Sequence, residues 1–453
     1  MPELMHSLMD KLYQVISLVM HASYQIWQWI WQTASYFAGE WISLLLEFAF
    51  YYPLFMAYLW MIGAFIYYFH WEKNSHFDPD HPPILQSYPP VSIVVPCHNE
   101  GREIADTIEF LLQQQYPDFE IIAVNDGSQD NTLDILLELA AKHPQLRVIN
   151  LEQNQGKAVA LRTGALFSNN EYLICIDGDA LLAPHATTWI MQHLLSGPRV
   201  AAVTGNPRIR TRSTLLGKIQ VGEFSAIIGL IKRAQRVYGR IFTVSGVVAG
   251  FRKSALHRVG YWSTDIVTDD IDISWKLQLD HWDIRFEPNA LCWILMPETL
   301  RGLWRQRLRW AQGGAEVLFR YSKPLAIWRS RRMWGIYVEY LTSVFWSFTM
   351  IMILILWTLG WFFELPDELT IPTLIPSWGG VLLGATCLLQ FAVSLIIDSR
   401  YEKGITKTYY WMIWYPLIYW LINVLTTVCG LIKALIKKRN TRATWVSPDR
   451  GLR

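Results

Sequence analysis

A chain of 453 residues is long enough for one soluble domain of ordinary size and a second, different part. Its 52% apolar content lies only slightly above a globular average, and a net charge of +2 singles out no strongly charged partner. Five scattered cysteines, Cys97, Cys175, Cys292, Cys387 and Cys429, contain no CxxC and exclude a zinc site or a disulfide framework.

The 23 tryptophans and the apolar residues collect at the two ends, whereas the middle, Tyr88 to Pro297, has the mixed texture of a soluble α/β domain. Near the start, Trp41 to Phe69 is apolar enough to span a bilayer, with Glu47 as its one acid. Leu12 to Phe37 is a weaker span, diluted by Gln14, His21, Gln25, Gln28 and Gln32. The opening MPELMHSLMDK carries no basic n-region and no small-x-small cleavage site follows, so the expectation is an uncleaved anchor.

From Val91 the pattern alternates strand and helix. Strands are expected at 91–96, 120–124, 147–151 and 172–176, and helices at 104–115, 132–142 and 157–167. Strands this apolar imply a parallel sheet covered on both faces, whose ligands bind outside the carboxyl ends of the strands. The polar residues stand at those ends: Asn99-Glu100 after the first strand, Asn125-Asp126 after the second and Asp177-Gly178-Asp179 after the fourth. No Gly-x-Gly-x-x-Gly and no Gly-x4-Gly-Lys-Ser/Thr occurs, so dinucleotide and P-loop readings lack their phosphate cradles. Asp126 to Asp130 opens like a calcium loop, but Asn131 and Leu137 stand where its glycine and glutamate belong.

Two carboxylates separated by one glycine repel unless a cation sits between them. Asp177 and Asp179 therefore suggest Mg²⁺ or Mn²⁺ bridging a carboxylate to phosphate oxygens, and a substrate that carries a diphosphate. Thr268-Asp269-Asp270 crowds acids at the start of a helix, where acids are favoured in any case. The functional expectation is that one of them takes a proton from an attacking hydroxyl, worth about 10²–10⁴ in rate.

Leu300 to Trp328 interleaves Arg301, Trp304, Arg305, Arg307, Arg309, Trp310 and Trp328 with leucines, which suits an amphipathic helix in a membrane interface. The adjacent apolar runs argue against nucleic acid as the partner of these arginines. Gln306-Arg-Leu-Arg-Trp310 is denser than anchoring needs; guanidinium groups grip phosphate and indole faces stack on sugars. Three apolar runs follow, Trp334–Phe363, Trp378–Ile397 and Tyr409–Ile436. Arg400, Lys403 and Lys407 place the second connector, and with it the central domain, in the cytoplasm, opposite the acidic Glu364–Glu368. Three crossings would leave the basic Lys437-Lys438-Arg439 outside, so either Tyr409–Ile436, with Pro416, is re-entrant or the charge rule fails here.

In this order, Asp126 in NDGS, Asp177-Gly-Asp179, Thr268-Asp-Asp270 and Gln306-Arg-Leu-Arg-Trp310, followed by spans, resemble the processive, inverting family-2 glycosyltransferases, the group of cellulose, chitin and hyaluronan synthases. VTGNPRIRTRSTLLGKIQVGEF, TDDIDISWKLQL, CWILMPETLRGLWRQRLRWAQGGAEV and WVSPDRG resemble the bacterial biofilm-polysaccharide branch of that group. The resemblance implies a GT-A-like, Rossmann-like α/β domain with a mostly parallel sheet, cytoplasmic and joined to α-helical transmembrane spans and interface helices. It implies domains at 1–75 (two N-terminal helices), 88–297 (catalytic), 298–332 (interface), 333–436 (three apolar segments) and 437–453, a tail like the gating loop of cellulose synthases. The implied reaction polymerises N-acetylglucosamine from UDP-N-acetylglucosamine into a β-1,6-linked chain exported across the bacterial inner membrane.

By the same resemblance Asp126 contacts the uridine, Asp177 the nucleoside or its ribose, and Glu100 and Lys157 complete the nucleotide-sugar set. Asp179 ligates the metal and Asp270 is the general base. Gln306, Arg307, Arg309 and Trp310 hold the diphosphate and the acceptor sugar. Asn125 and Asp269 depart from the usual DDG and TED, and Asp269 sets a second carboxylate beside the base. A small transmembrane partner subunit and control by cyclic di-GMP are implied as well. The alternatives are a non-processive transferase that passes one sugar to a lipid phosphate carrier, and a transporter whose cytoplasmic domain only senses nucleotide.

Overall fold

The structure is a computed structural model, and it describes residues 2–371, 373, 377–438 and 441–443. The chain divides into two compact units, one of Met1–Pro53 and Phe348–Val381, the other of Leu54–Ser347 and Leu382–Arg453. Helix α1 runs Pro2–Tyr67 through both expected N-terminal stretches without a break and ends in a π-helical turn, Tyr68–Glu72. Its membrane-length apolar window lies at Gly39–Glu72, of which only 6% is buried in the protein. So much apolar surface left uncovered is what a lipid-facing helix presents. In the first unit Ala49, Ile353 and Ile371 form a small core with Met350 and Leu356.

The second unit contains an eight-stranded sheet. Its strands are β1 (Val91–Cys97), β2 (Phe119–Asp126), β3 (Leu146–Leu151), β4 (Tyr172–Ile176), β5 (Leu181–Leu182), β6 (Val200–Ile209), β7 (Val248–Arg252) and β8 (Asp283–Ile294), in the order β3-β2-β1-β4-β7-β6-β8-β5. β1 runs parallel to β2 and β4, and β2 to β3, whereas β7 is antiparallel to both its neighbours. Alternation along β1 explains the two-sided core. Ile93 and Val95 join one apolar cluster and Val94 the other, as the period of two requires. One face is covered by α2 (Ile104–Leu112) and α5 (Ala186–Leu195), the other by α4 (Lys157–Phe167), α8 (Lys253–Arg258) and α9 (Asp269–Leu279); α3 (Thr132–Lys142) follows β2. The chain departs from β1 in opposite directions to β2 and β4, so the topological switch lies between β1 and β4.

Helices α6 (Leu215–Phe224) and α7 (Lys232–Tyr238) are joined by a π-helical stretch, Ser225–Ile231. The amphipathic α10 (Leu300–Leu325) starts at Thr299, whose hydroxyl accepts the Gly302 N–H at 3.1 Å. Membrane-length windows follow at Trp328–Leu359, Gly379–Asp398 and Tyr415–Ile436, within α11 (Trp334–Leu359), α12 (Ser377–Asp398) and α13 (Trp420–Ile436) with their flanking turns. The expected run Tyr409–Ile436 is not one helix: a 3₁₀ segment, Ile405–Ile413, and a π-turn around Pro416 precede α13. Proline's missing N–H accounts for the irregular turn.

Both flanks of that last segment are tied to the unit that holds the sheet. Asp398 accepts from Arg208 at 2.8 Å and from Arg233 at 2.9 Å, and Glu402 pairs with Arg212. At the other end Lys437 binds Glu316 and the Asp265 carbonyl, and Arg442 binds Gln155. Of the expected gating tail, 437–453, residues 439, 440 and 444–453 lie outside the described residues.

Candidate active site

The acids after β4 sit against the end of β1. A methyl on Gly178 would come within 3.2 Å of the Pro96 carbonyl and of Glu100 Cγ, so glycine there permits the two strand ends to touch. Thr107 donates to the Gly178 carbonyl at 3.0 Å and fixes the turn. Glu100 is 1% exposed beside this turn, and Asp179 is half-buried.

Lys157, first residue of α4, reaches across the switch point. Its Nζ donates to Asp177 Oδ1 at 2.5 Å and to the Gly246 carbonyl at 2.9 Å. Burial favours the neutral amine, but Asp177, Asp269 and Asp270 hold its pKa above the ordinary lysine value.

Asp126 ends β2 fully buried. Its two oxygens accept the backbone N–H groups of Gln155 at 2.7 Å and Gly156 at 2.8 Å. A carboxylate has further lone pairs, so these bonds orient it and leave capacity for a ligand. Gly156 has φ +93°, and a methyl there would meet the Ala443 carbonyl at 2.3 Å, so the tail passes directly over this loop. His98 Nδ1 bonds the Asp126 carbonyl at 2.8 Å and fastens the same corner.

Asp269 and Asp270 open α9. The Ile271 N–H donates to Asp270 Oδ1 at 3.0 Å, and a methyl on Gly246 would lie 3.1 Å from Asp270 Oδ2. Gly246 thus touches both Lys157 and Asp270 and draws the two ends of the site together. Burial, then repulsion from Asp269, raises the Asp270 carboxyl to about 6, against the pull of Lys157 and Arg309. Burial also raises Asp269, with Lys157 opposing and Asp177 assisting.

Of the arginines in α10, only one of the pair Arg307 and Arg309 faces outward. Arg309 is exposed, without a hydrogen-bond partner among the described residues, and its charge is felt by both Asp269 and Asp270. Arg307 is 5% exposed and donates to Glu223 of α6 at 2.5 Å. The expectation that Arg307 grips the diphosphate therefore meets a guanidinium committed to an internal carboxylate and stacked 4.3 Å over Trp310. Gln306 Nε2 bonds Met296 Sδ at 3.6 Å, and its buried Oε1 has no partner among the described residues.

Several residues that shape the site went unread in the sequence. A methyl on Gly313 would strike Thr268 Oγ1 at 2.1 Å, so α10 packs directly on the turn that presents Asp269 and Asp270. Glu316 accepts the Val267 N–H at 3.2 Å, and Lys437 clamps Glu316 from the end of α13. Gly430 lets α13 lie that close, because a methyl there would meet Ala311 Cβ at 2.7 Å.

Among the described residues no three His, Cys, Asp or Glu side chains converge on one point.

Residues 92–260 match the glycosyl transferase family 2 model. The chain is 40% identical over 410 residues to a poly-β-1,6-N-acetyl-D-glucosamine synthase of Staphylococcus epidermidis, covering 89% of this chain and 98% of that one. It is 38% identical to the synthase of the same name from Staphylococcus aureus, with the same coverage. The fold is similar to a mannosyltransferase of Pyrobaculum calidifontis solved with GDP-Man and Mn²⁺, with a TM-score of 0.58, 18% identity, and 88% of this chain and 99% of that one covered.

Proposed function

This chain belongs to glycosyl transferase family 2 and, within it, to the poly-β-1,6-N-acetyl-D-glucosamine synthases, and from that premise we propose that it polymerises N-acetylglucosamine from UDP-N-acetylglucosamine and passes the chain across the bacterial inner membrane. The 6-hydroxyl of the chain end attacks the anomeric carbon opposite the departing UDP, so the α-linked donor becomes a β-linkage. Asp270 takes the hydroxyl proton. Asp126, Asp177, Lys157 and Glu100 seat the nucleotide, Arg309 meets the diphosphate, and Gln306 and Trp310 face the acceptor. Arg307 acts through Trp310 and Glu223 as a positioning residue. Asp179 is the carboxylate for Mg²⁺ or Mn²⁺, which when bound neutralises charge on the leaving diphosphate.

One observation carries most of this reading. Lys157 bonds Asp177 and the Gly246 carbonyl, Gly246 lies against Asp270, and the charges of Lys157 and Arg309 act on Asp269 and Asp270 at the carboxyl edge of the sheet. A raised carboxyl next to fixed positive groups suits a base that works near neutral pH on an anionic donor.

Purified full-length protein, given labelled UDP-N-acetylglucosamine and Mg²⁺ or Mn²⁺, should yield a long polymer of β-1,6 linkages by methylation analysis. A single sugar on lipid phosphate would favour the non-processive transferase, and absence of UDP release the nucleotide-sensing transporter.

A further inference from the structure

Away from the acids, a cavity of about 610 Å³ opens among Arg199, Arg240, His281, Asp283, Arg285 and Arg332. Four arginines face one carboxylate, and that carboxylate is already shared: Asp283 pairs with Arg285 at 3.1 Å and with Arg236, outside the lining, at 3.5 Å. Arg199 and Arg332 are exposed, and neither side chain has an ionic or hydrogen-bond partner among the described residues. Burial pulls the Arg240 pKa down, and Arg332 and Arg236 pull it the same way against Asp283. The cavity therefore holds more positive charge than the protein neutralises, an arrangement that favours an anion with several oxygens.

Its walls also locate it at a membrane surface. Tyr238, on the lining, donates at 2.7 Å to the Leu59 carbonyl, inside the membrane-length window Gly39–Glu72. Arg332 lies within the membrane-length window Trp328–Leu359, two residues before Trp334 opens α11. Arg329, one 3₁₀ turn earlier, donates to His281 at 3.0 Å and so pins this juxtamembrane turn to the cavity. Ile327 and Trp328 beside it are 61% and 67% exposed. Basic groups flanked by exposed tryptophan at the foot of a span mark the headgroup level.

We propose that this cavity binds the phosphate headgroup of an anionic phospholipid from the leaflet that faces the catalytic domain. The shared chemistry is a phosphate ester held by Arg240 and Arg332. The exposed Ile327 and Trp328 favour a lipid source over a soluble one. None of these residues belongs to the transferase site, so the proposal stands apart from the roles assigned there.

The test uses full-length protein in a neutral detergent, with native mass spectrometry to count retained lipid. Phosphatidylglycerol should be retained well above phosphatidylcholine, and Arg240→Gln with Arg332→Gln should weaken that retention roughly 25-fold, about fivefold for each charge removed. Retention of phosphatidylcholine and the unfolding temperature should not move. Arg332→Gln alone, an exposed change, should give about a fivefold loss and guards against a folding defect at Arg240. Equal retention of both lipids, or no loss in either variant, would overturn the proposal. Arginine-dependent binding of inorganic phosphate or a soluble phosphodiester dinucleotide, without phosphatidylglycerol preference, would assign the cavity to a soluble anion and overturn the lipid source.

Discussion

Arg307 and Glu223 meet at 2.5 Å, with neither side chain more than 5% exposed. Tyr419 donates to the same carboxylate at 2.9 Å and Asn423 at 3.3 Å, so α6, α10 and the segment around α13 share one buried charge pair. Breaking such a pair from one side leaves an uncompensated charge, at a cost of about 3–5 kcal/mol. Arg307→Ala and Glu223→Ala should therefore lower the unfolding temperature by several degrees. Arg309→Ala, exposed two residues away, should leave that temperature unchanged and reduce kcat/KM for the donor at least tenfold. Thermal unfolding and initial rates on the same preparations separate the two, and loss of activity without destabilisation at Arg307 would refute the assignment.

The two neighbouring carboxylates at the start of α9 make opposite predictions for pH. Asp270, raised to about 6 first by burial and then by Asp269, must be ionised to accept a proton. Activity should rise tenfold per pH unit below about 6 and level off above it. Asp269→Asn removes a like charge, so Asp270 should titrate lower and the acid limb should move to lower pH, with the plateau largely retained. Asp270→Asn should cost about 10²–10⁴ in kcat at every pH. If Asp269→Asn instead abolishes turnover, the two roles are exchanged.

The proposed metal role of Asp179 makes a prediction of its own. If Asp179 holds the cation together with oxygens of the donor, the metal should bind weakly until the donor arrives. Chelation should stop turnover completely, and added Mg²⁺ or Mn²⁺ should restore it without a change in unfolding temperature. Asp179→Asn should shift the metal concentration for half-maximal rate upward by roughly tenfold or more, as read from initial rates across a metal titration. Full activity in excess chelator would remove the metal from the reaction.

How much of this was legible in the sequence depended on locality. The first four strands and the helices between them fell where the alternation predicted, because β1, β2 and β4 are buried on both faces and read as apolar runs with clear ends. The antiparallel insertion of β7 and the pairing of β6 with β8 were invisible, since strand order is a long-range property. Asp177, Asp179 and Asp270 were readable because they interrupt apolar periodicity at strand or helix ends. Glu223 was readable in principle, as a lone acid between Val221 and Phe224, but a buried acid names no partner. Gly313-Gly314 in mid-helix signalled a close approach, and only the fold reveals that Thr268 and Tyr340 fill the space. Arg307 and Arg309 look equivalent in sequence; the 3.6-residue period turns one inward and the other outward.

Lys437 Nζ lies 3.0 Å from both Glu316 oxygens and 2.6 Å from the Asp265 carbonyl, while Glu316 accepts the Val267 N–H. The end of α13 thus braces the turn that carries Asp269 and Asp270. Two outcomes follow. Lys437→Met should lower kcat by roughly tenfold with little change in donor KM, because it loosens the base and not the nucleotide, a loss of about 1.4 kcal/mol in the transition state. The same contact requires residue 437 to lie on the catalytic side of the membrane, as Asp398 and Glu402 do at the segment's other end. A segment fastened to one domain at both ends is expected to return to the side it left, which would place the basic residues after α13 where the charge rule favours them. A cysteine at Thr441 should react with a membrane-impermeant maleimide from the same side as one at exposed Glu152 in the catalytic domain. Reaction from opposite sides, in intact cells for one and inverted vesicles for the other, would show that the segment crosses and that Lys437 cannot reach Glu316.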